Sequence, residues 1–190
     1  MVKSILLVGV GGQGTILAGK ILTSALLGAG YNVKMSEIHG MSQRGGSVST
    51  HVRYGEIVES PVIELGGADI LVGFELMEAY RWLEYQKPEG VLIVNNYQIN
   101  PVPVLTGKRE YPDNLLEEMQ SKTTTIVIDA FNEAIALGDP RAMNTLLLGA
   151  AAERTGLGSL DWNTVIENEV RTTFADLNKR AFARGRELAC

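Results

Sequence analysis

The run Ile5-Leu6-Leu7-Val8-Gly9-Val10-Gly11-Gly12-Gln13-Gly14 constrains this chain more than any other stretch. Its continuous apolarity over residues 3–8 predicts a central strand covered on both faces. A glycine turn follows, and the run 15–27, with Ile16, Leu17, Ile21, Leu22, Ala25 and Leu26, opens from it as a helix ended at Gly28 and Gly30. Strand, turn and helix in that order meet the pattern Gly-x-Gly-x-x-Gly through Gly9, Gly11 and Gly14. Glycines let a backbone turn sharply and approach a ligand closely, and the first unpaired amides of a helix face an anion. A phosphate, a pyrophosphate or a thioester-carrying nucleotide suits such a turn. A turn present for packing alone is the alternative.

Composition narrows the field. A chain of 190 residues, 45% apolar and 21% charged, suits one α/β domain over 1–190 with a sizeable core. The net charge of −5 and the lack of a basic stripe argue against nucleic acid as a partner. Cys190 is the only cysteine, which rules out an internal disulfide, an iron–sulfur cluster or a thiolate zinc site. His39 and His51 are too few for a protein metal cage, so no metal site is expected. No apolar run approaches the roughly 20 residues that span a bilayer. No charged-plus-apolar leader precedes the first strand, so a soluble, cytoplasmic protein without membrane contact is expected.

Further along, residues 32–36 read as a second strand, placed beside the first by a right-handed crossover. A nicotinamide-binding domain puts an acidic residue at the end of that strand, and Glu37 stands there. The next stretch, Ile38-His39-Gly40-Met41-Ser42-Gln43-Arg44-Gly45-Gly46, is unlike that of an ordinary dehydrogenase. It is small, polar and glycine-rich. Its backbone donors suit an anionic group, and Arg44 suits a phosphate or carboxylate held in bidentate fashion; a solvated surface turn is the plainer reading.

Residues 47–54 alternate as a half-buried, antiparallel strand, with Val48, Thr50, Val52 and Tyr54 on one face and His51 on the polar one, as a structural or solvated histidine. A hairpin at Tyr54-Gly55-Glu56-Ile57 is expected to lead into a partner strand at 57–59. Strands follow at 68–74, 90–95 and 124–129, with helices at 75–85 and 113–120; Glu75 and Glu78 read as capping charges. Pro101 and Pro103 predict an extended 100–104. From Phe131 the pattern is helical, at 134–137, 143–155, 161–170 and 174–188, with Arg180, Arg184 and Arg186 as cations near a helix end. The fold class is α/β: a three-layer α/β/α, Rossmann-like mixed sheet with a C-terminal helical region.

Two segments, Leu7-Val8-Gly9-Val10-Gly11-Gly12-Gln13-Gly14 and Glu37-Ile38-His39-Gly40-Met41-Ser42-Gln43-Arg44-Gly45-Gly46-Ser47-Val48, together resemble the gamma-type domain of 2-oxoacid:ferredoxin oxidoreductases, in particular the small (beta) subunit of the indolepyruvate type. The resemblance continues through Gly67-Ala68-Asp69-Ile70-Leu71-Val72, Val127-Ile128-Asp129-Ala130, Asn144-Thr145-Leu146-Leu147-Leu148-Gly149-Ala150 and Ala181-Phe182-Ala183-Arg184-Gly185. It covers nearly the whole chain.

It implies oxidative decarboxylation of an aryl pyruvate such as indolepyruvate, with coenzyme A and oxidised ferredoxin giving acyl-CoA, carbon dioxide and reduced ferredoxin. Thiamine diphosphate, magnesium and iron–sulfur clusters would sit on a larger alpha subunit together with the catalytic groups, since no Gly-Asp-Gly…Asn segment is found here. This chain would dock on that subunit, inactive alone, with coenzyme A as co-substrate. Gly9, Gly11, Gly12, Gln13 and Gly14 would present backbone donors, and Ser42, Gln43, Arg44, Gly45 and Gly46 would complete the pocket. In isolation it is expected to homodimerise. The alternatives are a pyruvate or other 2-oxoacid subunit, loops that serve only the subunit interface, and a free-standing NAD(P)- or flavin-dependent oxidoreductase resting on the glycine motif and Glu37.

Overall fold

The computed structural model describes residues 2–40 and 45–190. In chain order the elements are β1 (Lys3–Val10), α1 (Thr15–Gly28), β2 (Asn32–His39), β3 (Ser47–Gly55), β4 (Ala68–Gly73) and α2 (Leu76–Arg81). After a 3₁₀ turn at Leu83–Tyr85 come β5 (Gln86–Asn95), α3 (Val102–Leu105), α4 (Leu115–Lys122), β6 (Thr124–Ile128) and α5 (Ala130–Leu137). A second 3₁₀ turn at Pro140–Ala142 leads to α6 (Met143–Arg154), α7 (Trp162–Glu169) and α8 (Thr172–Leu188).

The strands form one mixed sheet in the order β2-β3-β1-β4-β5-β6. Strands β1, β4, β5 and β6 run parallel, while β3 lies antiparallel to both β1 and β2. Alternate residues of β1 serve opposite faces, as a strand covered on both sides requires. Ile5 and Leu7 pack under α1, α5, α6, α7 and α8; Leu6 and Val8 pack under α2 and α4. This is the expected three-layer α/β/α arrangement with its helical C-terminal region.

The second strand is not beside the first. β3 occupies that place, pairing from Lys3↔Tyr54 to Val10↔Ser47 on one side and from Asn32↔Gly55 to His39↔Val48 on the other. The turn after β2 thus sends the chain back antiparallel as a hairpin instead of onward through a crossover. No strand forms at 57–59. Side chains hold that segment: Arg53 Nη1 donates to Ser60 O at 3.0 Å, and Val58 N donates to Asn32 Oδ1 at 3.2 Å.

β3 is also more buried than its alternation suggests. Ser49 and His51 are enclosed as well, because β3 is interior to the sheet and the 57–65 segment and Trp82 cover its second face. His51 Nδ1 accepts from Ile63 N at 3.1 Å, and burial lowers its pKa below 6.5. It is a structural histidine.

One further expectation is corrected. Residues 102–105 form a short helix, because Pro101 stands at its N-cap and Pro103 in its first turn, where a missing N–H leaves no helical bond unmade. Arg186 stands in the last turn of α8, as expected of a cation near a helix end, and both Arg184 and Arg186 also join neighbouring helices: Arg184 Nε donates to Glu133 on α5 at 2.9 Å, and Arg186 Nε to Glu153 on α6 at 2.7 Å. Helices α6 and α8 cross at backbone contact, where a Cβ on Gly185 would lie 1.8 Å from Leu146 O and one on Gly149 2.1 Å from Phe182 O.

Candidate functional site

The glycine turn lies at the C-terminal end of β1, the edge at which open α/β sheets bind ligands. Each part of it is tied down separately. A Cβ on Gly9 would meet Gln13 Oε1 at 2.8 Å and Phe74 Cβ at 2.9 Å, so only glycine lets the turn fold onto β4. The Gln13 carboxamide points inward and is buried; its Oε1 accepts from Val10 N at 2.7 Å and its Nε2 donates to Phe74 O at 2.8 Å. Gln13 N donates to Val10 O at 3.1 Å, so this residue braces the turn with both main chain and side chain.

Gly11 is engaged too. Its N–H donates to Gly46 O at 2.8 Å, and its carbonyl accepts from Gly45 N at 3.2 Å. Gly45 and Gly46 are thereby brought against the turn. Met41, Ser42, Gln43 and Arg44 lie outside the described residues.

Gly14 is the N-cap of α1, in the left-handed region at φ 83°. A side chain there would also run into Asn144, whose Nδ2 would be 2.3 Å from the new Cβ and already faces Gly14 O at 3.4 Å. Among the described residues no side chain caps α1, and the amides of Gly12, Gly14, Thr15, Ile16 and Leu17 find no acceptor. Five donors therefore remain at one positively polarised helix end, the arrangement that takes an anion.

Two clefts open beside this end. One, of about 350 Å³, lies between Gly11, Gly12, Gly14, Thr15, Ile16, His39 and Val48, on the side of the β2–β3 connection. The other, of about 620 Å³, lies between the turn and the starts of α6 and α8. Its walls are largely apolar, with Leu17, Phe131, Met143, Phe174 and Leu177, and it carries Arg141, Arg171, Asn144 and Asn178. Helices α1, α6 and α8 all begin there, and none has a side-chain cap. By contrast α2, α5 and α7 are capped by Glu75, Asp129 and Asp161. Arg141 pairs with Asp139 at 2.5 Å and lies 5.1 Å from the Phe174 ring centre.

Sequence reasoning missed Asn144, Arg141 and Arg171. It also missed Asn95, fully buried, which donates to Phe74 O at 3.2 Å and accepts from Ala130 N at 3.0 Å, joining the ends of β4, β5 and β6. An asparagine closing an apolar strand was the available signal. Glu37 is a different matter. It pairs with Thr50 on the outer strand β2, two strand spacings (roughly 10 Å) from β1. The ribose-holding position beside the turn is therefore not filled by Glu37, which removes the main support for the nicotinamide reading. Among the described residues no group of three or more His, Cys, Asp or Glu is set to hold a metal, and no helix is long and apolar enough to cross a membrane.

The family model described as pyruvate ferredoxin/flavodoxin oxidoreductase matches residues 4–188. The chain is 37% identical to indolepyruvate oxidoreductase subunit IorB of Thermococcus kodakarensis, over 96% of this chain and 93% of the relative. It is 38% identical to the IorB subunit of Methanothermobacter thermautotrophicus, over 93% of this chain and 92% of that one. Among solved structures it is similar to a keto/oxoacid ferredoxin oxidoreductase gamma subunit from Geobacter sulfurreducens, with a TM-score of 0.74, 26% identity and 98% of each chain covered.

Proposed function

Because the chain belongs to the pyruvate ferredoxin/flavodoxin oxidoreductase family, we infer that it is the small subunit of a 2-oxoacid:ferredoxin oxidoreductase of the indolepyruvate type. The complex oxidatively decarboxylates an aryl pyruvate. The 2-oxoacid loses its carboxylate as carbon dioxide, the acyl group passes to the sulfur of coenzyme A, and the two electrons released reduce ferredoxin one at a time. Thiamine diphosphate, magnesium and the iron–sulfur clusters belong to the large subunit in this reading. A cluster needs several thiolates, and this chain supplies only Cys190. The complex works in the cytoplasm.

This chain's own part is to dock against the large subunit as one gamma-type domain and to hold an anionic portion of coenzyme A. The observation that carries the second role is the end of α1, where the amides of Gly12, Gly14, Thr15, Ile16 and Leu17 are unpaired among the described residues. Coenzyme A brings phosphates, which such an end prefers. Gly45 and Gly46 stand against Gly11 beside it, and Ser42, Gln43 and Arg44 precede them in sequence. Gly9 and Gln13 shape the turn and do not themselves bind. For docking, the chain exposes Ile57, Val62 and Leu65 after β3, and Val102 and Leu105 on α3; the same surfaces would drive self-association when the partner is absent.

Co-expression with a candidate large subunit, followed by a viologen-linked assay with indolepyruvate, pyruvate and 2-oxoglutarate, tests the reading. Activity should require both chains and favour indolepyruvate. Arg44→Ala should raise the KM for coenzyme A without dissociating the complex. NAD binding by the chain alone, with no partner-dependent activity, would replace this reading with a dehydrogenase.

A further inference from the structure

Helix α2 needs one carboxylate at its N-terminus, and Glu75 supplies it by accepting from Glu78 N at 2.9 Å. Capping therefore does not account for Glu78, whose side chain is only 8% exposed and whose one cation among the described residues, Arg81 at 3.3 Å, stands largely in water. A carboxylate is costly to bury unless hydrogen bonds use it. The partner that Glu78 does take is Ser47, which donates its hydroxyl to Glu78 Oε2 from the first position of β3.

That contact closes a ring of tethers around the candidate site. From the turn, Gly11 N donates to Gly46 O, and Gly46 is followed by Ser47. Ser47 joins Glu78, Glu78 N joins Glu75, and Phe74, just before Glu75, accepts from Gln13 Nε2. Gln13 lies in the turn where the ring began. The Ser47–Glu78 pair is the one side chain–side chain link, and it braces the residue that follows the Gly45–Gly46 stem, beside the main-chain bonds that join the stem to Gly11. The other links are main chain, the Gln13 side chain within the turn, or the Glu75 carboxylate accepting from main chain.

We propose that Glu78 is a positioning residue: acting through Ser47, it holds the Gly45–Gly46 stem against the glycine turn and thereby sets the affinity of the assembled enzyme for coenzyme A. This rests on the coenzyme A reading given above. Glu78 touches no substrate. It acts on the placement of the main chain that does, where small displacements weaken a preorganised site.

The test uses the two-subunit enzyme and steady-state kinetics with coenzyme A and indolepyruvate varied separately. Ser47→Ala and Glu78→Ala should each raise the coenzyme A KM by roughly three- to tenfold, the scale of one lost charge-assisted hydrogen bond partly recovered by water. The indolepyruvate KM and the turnover at saturating coenzyme A should move less than about twofold. Because both variants remove one contact, the double variant should be no worse than the weaker single one. Glu78→Gln keeps an acceptor and should restore most of the affinity. Should Glu78→Ala fail to assemble, Ser47→Ala, at an exposed position, carries the test with Glu78→Gln. An unchanged coenzyme A KM in these variants, while Arg44→Ala raises it, overturns the proposal and leaves the coenzyme A reading standing. Equal changes in both KM values, or additive effects in the double variant, also overturn it. If Arg44→Ala is silent as well, the coenzyme A reading fails and takes this inference with it.

Discussion

Gly185→Ala offers the sharpest check on how this fold is held together. The new Cβ would fall 1.8 Å from Leu146 O, against the 3.0 Å below which real contacts are essentially never seen. Helix α8 must therefore retreat from α6 by about 1.2 Å, since the obstacle is main chain and cannot swing away. A gap of that size forfeits a quarter to a half of the dispersion contact along the seam, and overpacking of this kind costs about 1–3 kcal/mol. The Gly149 contact with Phe182 O and the 2.6 Å hydrogen bond from Thr145 Oγ1 to Asn178 Oδ1 cross the same seam, so the retreat disturbs them as well. Alanine's better helix propensity returns about 1 kcal/mol. With the disturbed Thr145–Asn178 hydrogen bond adding about 1 kcal/mol, the net loss is about 1–3 kcal/mol, or roughly 3–10 °C in Tm for a chain of this size. Gly28→Ala is the control: it closes α1, has no positive φ and meets nothing within 4 Å, so its Tm should stay at or slightly above that of the parent. Circular dichroism melts of the three proteins decide the matter. A Gly185→Ala protein melting within about 2 °C of the parent would refute backbone contact between α6 and α8.

Two further outcomes follow from buried polar groups. Burial lowers the pKa of His51 below 6.5, so unfolding takes up a proton; its contribution is intact above pH 6.5 and declines as pH falls through 6.5 toward the folded-state pKa. Urea midpoints between about pH 7.5 and 5.5 should fall less in His51→Phe than in the parent, and equal slopes would disprove the assignment. Asn95→Ala leaves Ala130 N without its acceptor and Phe74 O with one donor fewer, and should destabilise by about 2–4 kcal/mol in equilibrium unfolding.

The opening of the chain was legible because its signals are local. A continuous apolar strand, a glycine pattern and an apolar helical period sit within residues 3–28, and each physical requirement is met inside that span. The layering was legible for the same reason, since alternation in β1 and the apolar run in α6 report burial directly. Strand order was not. Nothing in residues 47–55 announces that β3 will stand between β1 and β2, and the polar look of Ser49 and His51 pointed outward. What lets them be buried lies elsewhere in the chain, at Ile63 N and Trp82.

The candidate site divides along the same line. Its glycines could be read from the sequence, yet their separate duties could not. Gly9 is set by Gln13 and Phe74, and Gly14 by Asn144, which sits in a helix whose Leu, Gly and Ala content speaks only of packing. Glu75 and Glu78 were visible as first-turn acids, and the cap made by Glu75 is real. Their burial depends on Tyr111, Ile99 and Ser47, which lie 24 to 36 residues away from them in sequence. Among the described residues helix α1 has no side-chain cap while α2, α5 and α7 close their ends with carboxylates, and that contrast emerges only when the helices are seen together. An uncapped end leaves amide donors without partners, a state that natural helices relieve with a side chain, water or a ligand. Bracing by Gln13, Gly11 and Asn144 holds this end rigid without closing it, which is the preorganisation an anion site requires.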